Sequence, residues 1–153
     1  MKKIIATLLL IAMVFCFAAC GKTETALVDM QQVYDSYTQY LPEMVLLDET
    51  SMMNLYGVDV ANCNQAIIAT CGDGLRSDEI WLIEAVDEQC AQEIAELAQN
   101  RIEREKEETK NYAPDQYAVV EKAQIITQGN NVVMIISPDV DTLVELYNSA
   151  ANA

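Results

Sequence analysis

Two apolar stretches, Gln65-Ala66-Ile67-Ile68-Ala69-Thr70-Cys71 and Glu79-Ile80-Trp81-Leu82-Ile83-Glu84-Ala85-Val86, decide the fold of this chain. Both have the length of a strand, and the connection between them, Gly72-Asp73-Gly74-Leu75-Arg76-Ser77, contains two glycines. This arrangement predicts an antiparallel β-hairpin. Because alternate residues of the second stretch are apolar on both sides, we expect part of each face of the sheet to be covered there.

A second hairpin is predicted further along the chain. Segments 123–128 and 132–137 have strand-like composition, and Gly129-Asn130-Asn131 between them supplies residues that tolerate a positive φ. The two hairpins together predict a four-stranded, mainly antiparallel sheet.

Four helices are predicted around this sheet. Apolar residues at helical spacing indicate a short helix before Pro42, and Asp48 and Gly57 are suited to cap a second short helix. Two longer amphipathic helices follow, one begun by Asp87 and one at Pro138. The fold class that we expect is therefore α+β, with the two long helices on one face and the two short N-terminal helices available to cover part of the other.

The N-terminal segment has the pattern of a lipoprotein signal peptide. Met1-Lys2-Lys3 precedes an apolar run at residues 4–19, and Phe17-Ala18-Ala19-Cys20-Gly21 resembles a lipobox, although Phe17 stands where leucine is usual. We expect residues 1–19 to be removed, Cys20 to be lipidated, residues 20–26 to form a short tether and residues 27–153 to form a single α+β domain.

Two other interpretations fit this segment less well. A transmembrane anchor is less favoured, because the apolar run is shorter than the roughly 20 residues that a membrane-spanning helix needs. An ordinary signal peptide, cut before an incidental cysteine, stays open.

The net charge limits the classes of partner. The chain has 24 acidic and 9 basic residues, a formal net charge of −15, and loss of Lys2 and Lys3 with the signal peptide would make it more negative. Such a charge repels the phosphates of nucleic acids and anionic lipid headgroups, so we expect no nucleic-acid partner. Attraction to cations or to a basic partner stays open.

The predicted domain contains three cysteines, Cys63, Cys71 and Cys90. They cannot all pair internally, and Cys63 and Cys71, at opposite ends of one extended segment, would lie about 26 Å apart. A disulfide from either of these to Cys90 is geometrically possible, but we expect free buried thiols. The spacing matches neither a zinc nor a thioredoxin motif.

The candidate binding surface lies around the first hairpin. Arg76 is a basic residue in the glycine-containing loop, Asp78 and Glu79 begin the second strand, and Trp81 and Tyr112 are aromatic residues suited to a groove beside that strand. We expect no metal site, because the acidic residues lack the series of oxygen ligands that a calcium-binding loop provides.

Catalysis has little support in the sequence. The absence of histidine excludes Ser-His-Asp and Cys-His nucleophiles and histidine metal sites, and we expect no catalytic residues and no cofactor. A carboxylate-dependent hydrolase acting on cell-envelope glycans is the alternative, with Asp78 and Glu79 as its most readily placed pair. Adjacent strand residues point to opposite faces, however, so these two would not naturally converge.

Several short motifs, combined with the lipobox, resemble one family. They are Leu55-Tyr56-Gly57-Val58-Asp59, Ser77-Asp78-Glu79-Ile80, Tyr112-Ala113-Pro114 and Gly129-Asn130 with its following apolar strand. Over residues 27–147 the chain is similar to an uncharacterised lipoprotein family called domain of unknown function 4358. The resemblance implies no activity. It implies a Gram-positive bacterium as host and a location outside the cytoplasmic membrane, beneath the wall.

These features together predict a membrane-anchored extracytoplasmic lipoprotein. We expect its domain to be a non-catalytic binding or accessory domain for an envelope or membrane-protein partner, held at the lipid bilayer through acylated Cys20. The predicted tether reaches roughly 20 Å when fully extended, which keeps the domain close to the membrane.

Overall fold

The computed structural model describes residues 27–153, so the predicted signal peptide, Cys20 and the tether lie outside the described residues. Five helices and five strands follow one another in this part, together with a single 3-10 turn at Val60–Asn62. In chain order they are α1 (Met30–Tyr37), β1 (Met44–Leu46), α2 (Glu49–Tyr56), β2 (Cys63–Cys71), β3 (Glu79–Ala85), α3 (Glu88–Thr109), α4 (Pro114–Val120), β4 (Gln124–Gln128), β5 (Asn131–Ile136) and α5 (Val140–Ala151).

The strands form one antiparallel sheet with the order β1-β2-β3-β5-β4. Both predicted hairpins are confirmed, as β2 pairs with β3 and β4 pairs with β5. The hairpins join through β3 and β5, where Trp81 lies opposite Met134. These two strands are therefore the centre of the sheet, and every one of their residues is buried.

Helices cover both faces of the sheet. Trp81 and Ile83 of β3 pack in one core with α2 and α3, whereas Ile80 and Leu82 pack in a second core with α1 and α5. The prediction that the two long helices share a face is therefore wrong. The physical reason is that β3 and β5 are apolar on both sides, and each side requires a helical layer to exclude water.

Two elements were not predicted. The short strand β1 pairs Met44 with Cys71 and adds a fifth strand at one edge of the sheet, which corrects the four-strand prediction. Helix α4 begins at Pro114, after the loop that follows α3. Proline is compatible with the first helical turn, because the N–H that it lacks has no intrahelical partner there.

Local capping signals in the sequence are confirmed. The Asp48 carboxylate accepts a hydrogen bond from Ser51 N at 2.7 Å, and the Asp87 carboxylate accepts one from Cys90 N at 2.8 Å. Gly57 ends α2 with a φ of 75°, a left-handed conformation that favours glycine.

The side chain of Gln65 fixes the start of the described chain against β2. Its Nε2 donates to Val28 O at 2.9 Å, and its Oε1 accepts from Met30 N at 3.0 Å. The chain therefore enters the fold at the beginning of β2, at the end of the sheet opposite to the β2–β3 loop.

Cys63, Cys71 and Cys90 are free thiols in the described part of the chain, as expected, although they are partly rather than fully buried. Burial, with a smaller contribution from nearby Asp59, raises the pKa of Cys63 to about 11. None of the helices in residues 27–153 has the length and hydropathy needed to cross a membrane.

Candidate functional site

A buried carboxylate, Glu79, is the centre of the candidate site. It is the first residue of β3 and is only 2 % exposed. Arg101 of α3 donates to it from Nε and Nη2, with Nη2 2.8 Å from Oε2. Trp81 Nε1 donates to Oε1 at 2.8 Å, and the Tyr56 hydroxyl donates to Oε2 at 3.2 Å. These donors compensate for the water that the carboxylate loses on burial.

Strand and helix geometry bring these four side chains together. Glu79 and Trp81 are two residues apart on β3, so they point to the same face of the sheet, which α2 and α3 cover. Tyr56 is the last residue of α2, and its ring lies 5.1 Å from the Trp81 ring, centroid to centroid. The Arg101 guanidinium carbon lies 5.4 Å from the centroid of the Tyr56 ring, which adds a cation–π contact.

The same arginine extends the contacts towards the β2–β3 loop. Arg101 Nη1 lies 2.7 Å from Glu105 Oε2, and the Ser77 hydroxyl donates to Glu105 Oε1 at 2.8 Å. The backbone N–H of Ser77 donates to Gln116 Oε1 of α4 at 2.9 Å. We call this set the Glu79 network; it ties the loop to α3 and α4 and comprises Tyr56, Ser77, Glu79, Trp81, Arg101, Glu105 and Gln116.

The network raises the pKa values of Tyr56 and Arg101. Burial, reinforced by the negative charge of Glu79, raises the pKa of Tyr56 to about 12. Burial by itself would lower the pKa of Arg101, but the hydrogen bonds and charge of Glu79 outweigh it and raise the pKa above its ordinary value. Tyr56 is therefore neutral and Arg101 charged over the physiological pH range.

A polar pocket of about 180 Å³ adjoins the network, and we call it the Asp78 pocket. Besides members of the network, its lining includes Thr70, Cys71, Arg76 and Asp78. Arg76 Nε donates to Asp78 Oδ2 at 2.9 Å, and this bond raises the pKa of Arg76. The Asp78 side chain is 1 % exposed, and its second oxygen, Oδ1, has no hydrogen-bond partner among residues 27–153.

Three of the five residues predicted for the binding surface, Arg76, Asp78 and Glu79, line the same pocket. Trp81 does not belong to any surface, because it is fully buried, and its predicted role as a contact residue is wrong. Its indole instead supports Glu79 from inside the core. Tyr112 is 90 % exposed and lies in the loop that follows α3, outside the lining of the pocket.

Sequence reasoning missed the remaining members of the network. Arg101 and Glu105 have the i, i+4 spacing typical of ion pairs on exposed helices, but the Arg101 side chain is only 14 % exposed. The position of Arg101 in the sequence does indicate that it is buried. Arg101 lies seven residues after Ile94 and three after Ala98, which places it on the apolar stripe that faces the sheet. A charged residue on a buried stripe indicates a buried partner.

The described residues of this site do not provide a set of metal ligands. Across residues 27–153, no group of three or more cysteine, aspartate or glutamate side chains is arranged to hold a metal ion. Asp78 offers one free buried oxygen, which is fewer ligands than calcium or magnesium requires.

Comparisons with known proteins assign the family but no chemistry. No curated protein and no solved structure gives a significant match to this chain. Residues 31–137, well over half of the chain, match the family described as Domain of unknown function (DUF4358), and they contain the Glu79 network and the Asp78 pocket. The chain therefore belongs to the DUF4358 family.

Proposed function

We propose that this protein is a membrane-anchored extracytoplasmic lipoprotein whose domain binds an envelope or membrane-protein partner without catalysis. The lipobox-like sequence that ends in Cys20 and Gly21 supports the anchor. The surface at the β2–β3 loop supports the binding function. We define the tip as the exposed residues Leu75, Arg76 and Tyr112, of which Arg76 also lines the Asp78 pocket.

The observation that carries this proposal is the exposure of large side chains at the tip. Leu75 is 82 % exposed and Tyr112 is 90 % exposed. Ser77 holds their two loops at the same end of the molecule, through its bonds to Glu105 of α3 and Gln116 of α4. Exposed aliphatic and aromatic side chains beside an arginine are the composition typical of protein-binding surfaces.

The position of the tip fits a partner outside the bilayer. The described chain enters at Gln65, near the start of β2, and the tip follows the end of β2 at Cys71. Six residues of strand separate these points by about 20 Å. A short lipid-linked tether before residue 27 would therefore hold the entry point near the membrane and direct the tip away from it.

The arrangement of carboxylates favours binding over glycan hydrolysis. Glu79 and Glu105 both contact Arg101, through different nitrogens of one guanidinium. A glycosidase needs two carboxyl groups about 5–9.5 Å apart with the scissile bond between them. Both carboxylates are held in ion pairs with that guanidinium, and Asp78, the other member of the predicted Asp78–Glu79 pair, is bonded to Arg76.

Cross-linking mass spectrometry on intact cells tests the proposal. We expect the wild-type protein to capture a reproducible protein partner and Cys20→Ala to lose it with the anchor. The double variant Leu75→Ser/Tyr112→Ser should also lose it. Met53→Ser is the matched control, because Met53 is 52 % exposed on α2 and lies outside the tip.

Two results would contradict the proposal. Equal capture by the wild type and by the Leu75→Ser/Tyr112→Ser variant would show that the tip is not the binding surface. No reproducible partner from the wild type would reject protein binding and return attention to the glycan hydrolase.

A further inference from the structure

We propose that the Asp78 pocket binds a primary ammonium group, with Asp78 as the acceptor. This inference rests on the binding function proposed above and identifies the chemistry that the tip recognises. Two sources carry such a group: a lysine side chain of a protein partner and a small free amine. Both offer the same three N–H donors and the same single positive charge.

The charge balance of the pocket favours a cationic ligand. Its lining contains three carboxylates, from Asp78, Glu79 and Glu105, and two guanidiniums, from Arg76 and Arg101. With each group in its ordinary charged form, one negative charge is left over beside the buried Asp78 side chain. A monovalent cation would neutralise it, and the negative net charge of the whole chain would attract such a ligand over a longer range.

Asp78 is the carboxylate with a free place for a donor. Arg101, Trp81 and Tyr56 all donate to Glu79, and Arg101 and Ser77 contact the two oxygens of Glu105. Asp78 Oδ2 is bonded to Arg76, whereas Oδ1 is buried and has no partner among the described residues. A buried carboxylate oxygen without a donor is destabilising, so a donor delivered by a ligand would be favoured there.

The pocket suits an ammonium better than a guanidinium. A guanidinium binds most strongly when its planar fork reaches both oxygens of one carboxylate, but Asp78 Oδ2 is already occupied by Arg76. An ammonium directs three donors to separate positions, and Thr70 and Ser77, whose hydroxyl oxygens can accept hydrogen bonds, also line the pocket. A volume of about 180 Å³ accommodates this group with a short alkyl stem.

Binding requires one movement, which Arg76 can make. Asp78 Oδ1 is buried in the free protein, so the ligand must open a path to it. The Arg76 side chain is 41 % exposed and is held to Asp78 by a single hydrogen bond from Nε. When the end of the guanidinium turns outward while Nε stays on Oδ2, the ammonium reaches Oδ1.

The test is an isothermal titration of the full chain, purified in detergent micelles, with ethylammonium chloride at constant ionic strength. Ethanol serves as the neutral probe of similar size. We expect saturable binding of ethylammonium and none of ethanol. Asp78→Asn should weaken ethylammonium binding at least about tenfold, the effect of losing one charge-assisted hydrogen bond. Asp139→Asn, at an exposed aspartate that makes no capping hydrogen bond, should leave it unchanged.

Arg76→Gln keeps the inference testable if Asp78→Asn fails to fold. This variant removes the positive charge beside Asp78 from an exposed loop, and with it the repulsion of a second cation, so we expect tighter ethylammonium binding, by several-fold. Tighter binding of Nα-acetyl-lysine methylamide than of ethylammonium would assign the pocket to a lysine side chain, and the reverse order to a small amine.

No saturable binding, or an affinity that neither Asp78→Asn nor Arg76→Gln changes, would overturn the inference. The ammonium proposal and the proposed binding function can be contradicted separately. If ethylammonium does not bind while the Leu75→Ser/Tyr112→Ser variant still loses its partner, only the ammonium assignment falls. If the wild type captures no partner either, both proposals fall.

Discussion

Glu79 and Asp78 are adjacent residues whose carboxylates receive different numbers of hydrogen bonds. Glu79 is the first residue of β3, inside the core, and it is stabilised there by donors from three other residues. Asp78 precedes the strand and receives one donor, from a partly exposed arginine. The first carboxylate is therefore suited to a structural role, whereas the second retains an unused acceptor at the pocket.

Replacement of Arg101 should reveal the cost of burying Glu79. We expect Arg101→Met to lower the free energy of unfolding by about 3 kcal/mol, because it leaves a buried carboxylate without its compensating charge. Urea denaturation measures this value. Arg104→Met is the matched control: Arg104 lies on the exposed part of the same helix, and its loss should cost less than about 0.5 kcal/mol.

A double-mutant cycle identifies the cause. Because Glu79→Gln removes the charge that Arg101 neutralises, the double variant Glu79→Gln/Arg101→Met should cost less than the sum of its two single variants, by about 1 kcal/mol or more. Additive costs would contradict an energetic coupling between these residues.

At the scale of elements, α3 connects the core to the candidate site. It packs against the sheet through Ala91, Ile94, Ala98 and Ile102, and Arg101 and Glu105 of its second half supply the ion pairs of the network.

Asp87 begins this helix with a side-chain capping bond, whereas Asp139, at the start of α5, makes none. The two helix starts therefore differ in a way that stability measurements can detect.

We expect Asp87→Ala to lower the melting temperature more than Asp139→Ala at neutral pH. The hydrogen bond from the Cys90 backbone N–H holds the pKa of Asp87 below its ordinary value of 3.8. The stabilisation is complete above that ordinary value and is lost as the pH falls through the lowered pKa of the folded state. Thermal melts from neutral pH down to below pH 3.8 test this.

The same pH series of melts can also contradict this prediction. The gap in melting temperature between the wild type and Asp87→Ala should narrow only at the acidic end of the series. A gap of the same size at every pH would exclude the ionised carboxylate as its source.

At the scale of the whole molecule, stability should decrease from the centre of the sheet to its edges. β3 and β5 are buried on both faces between the two helical layers, whereas β1 has three residues and lies at one edge. Local unfolding of β3 or β5 would disrupt the packing of both helical layers against the sheet. Opening β1 would break only its pairing with β2.

Native-state hydrogen exchange should follow this gradient. We expect the amides at 80–83 and 132–135 to exchange only by global unfolding, and those of β1 to exchange faster by local opening. Mass spectrometry of peptides after timed labelling measures both groups in one sample. Equal protection of β1 and β3 would contradict the gradient and show that the sheet opens as one unit.

The sequence by itself determined the features that depend on neighbouring residues. Apolar stretches joined by glycine-containing turns predicted both hairpins, and Asp48, Gly57 and Asp87 were recognised as caps because a cap needs only residues within one turn of it. Combined motifs also identified the family. For the site, the sequence selected Arg76, Asp78 and Glu79, since charged residues at the boundary of an apolar strand are visible without a fold.

Only the tertiary structure decided what depends on distant residues. Helices α3 and α5 lie on opposite faces because the two hairpins join through β3 and β5, which are apolar on both sides. Strand β1 forms because its three residues pair with β2. The burial of Arg101 against Glu79, 22 positions away, was hidden for the same reason. Short-range patterns specify local conformation, whereas burial and pairing are energies of contact between segments that the sequence keeps far apart.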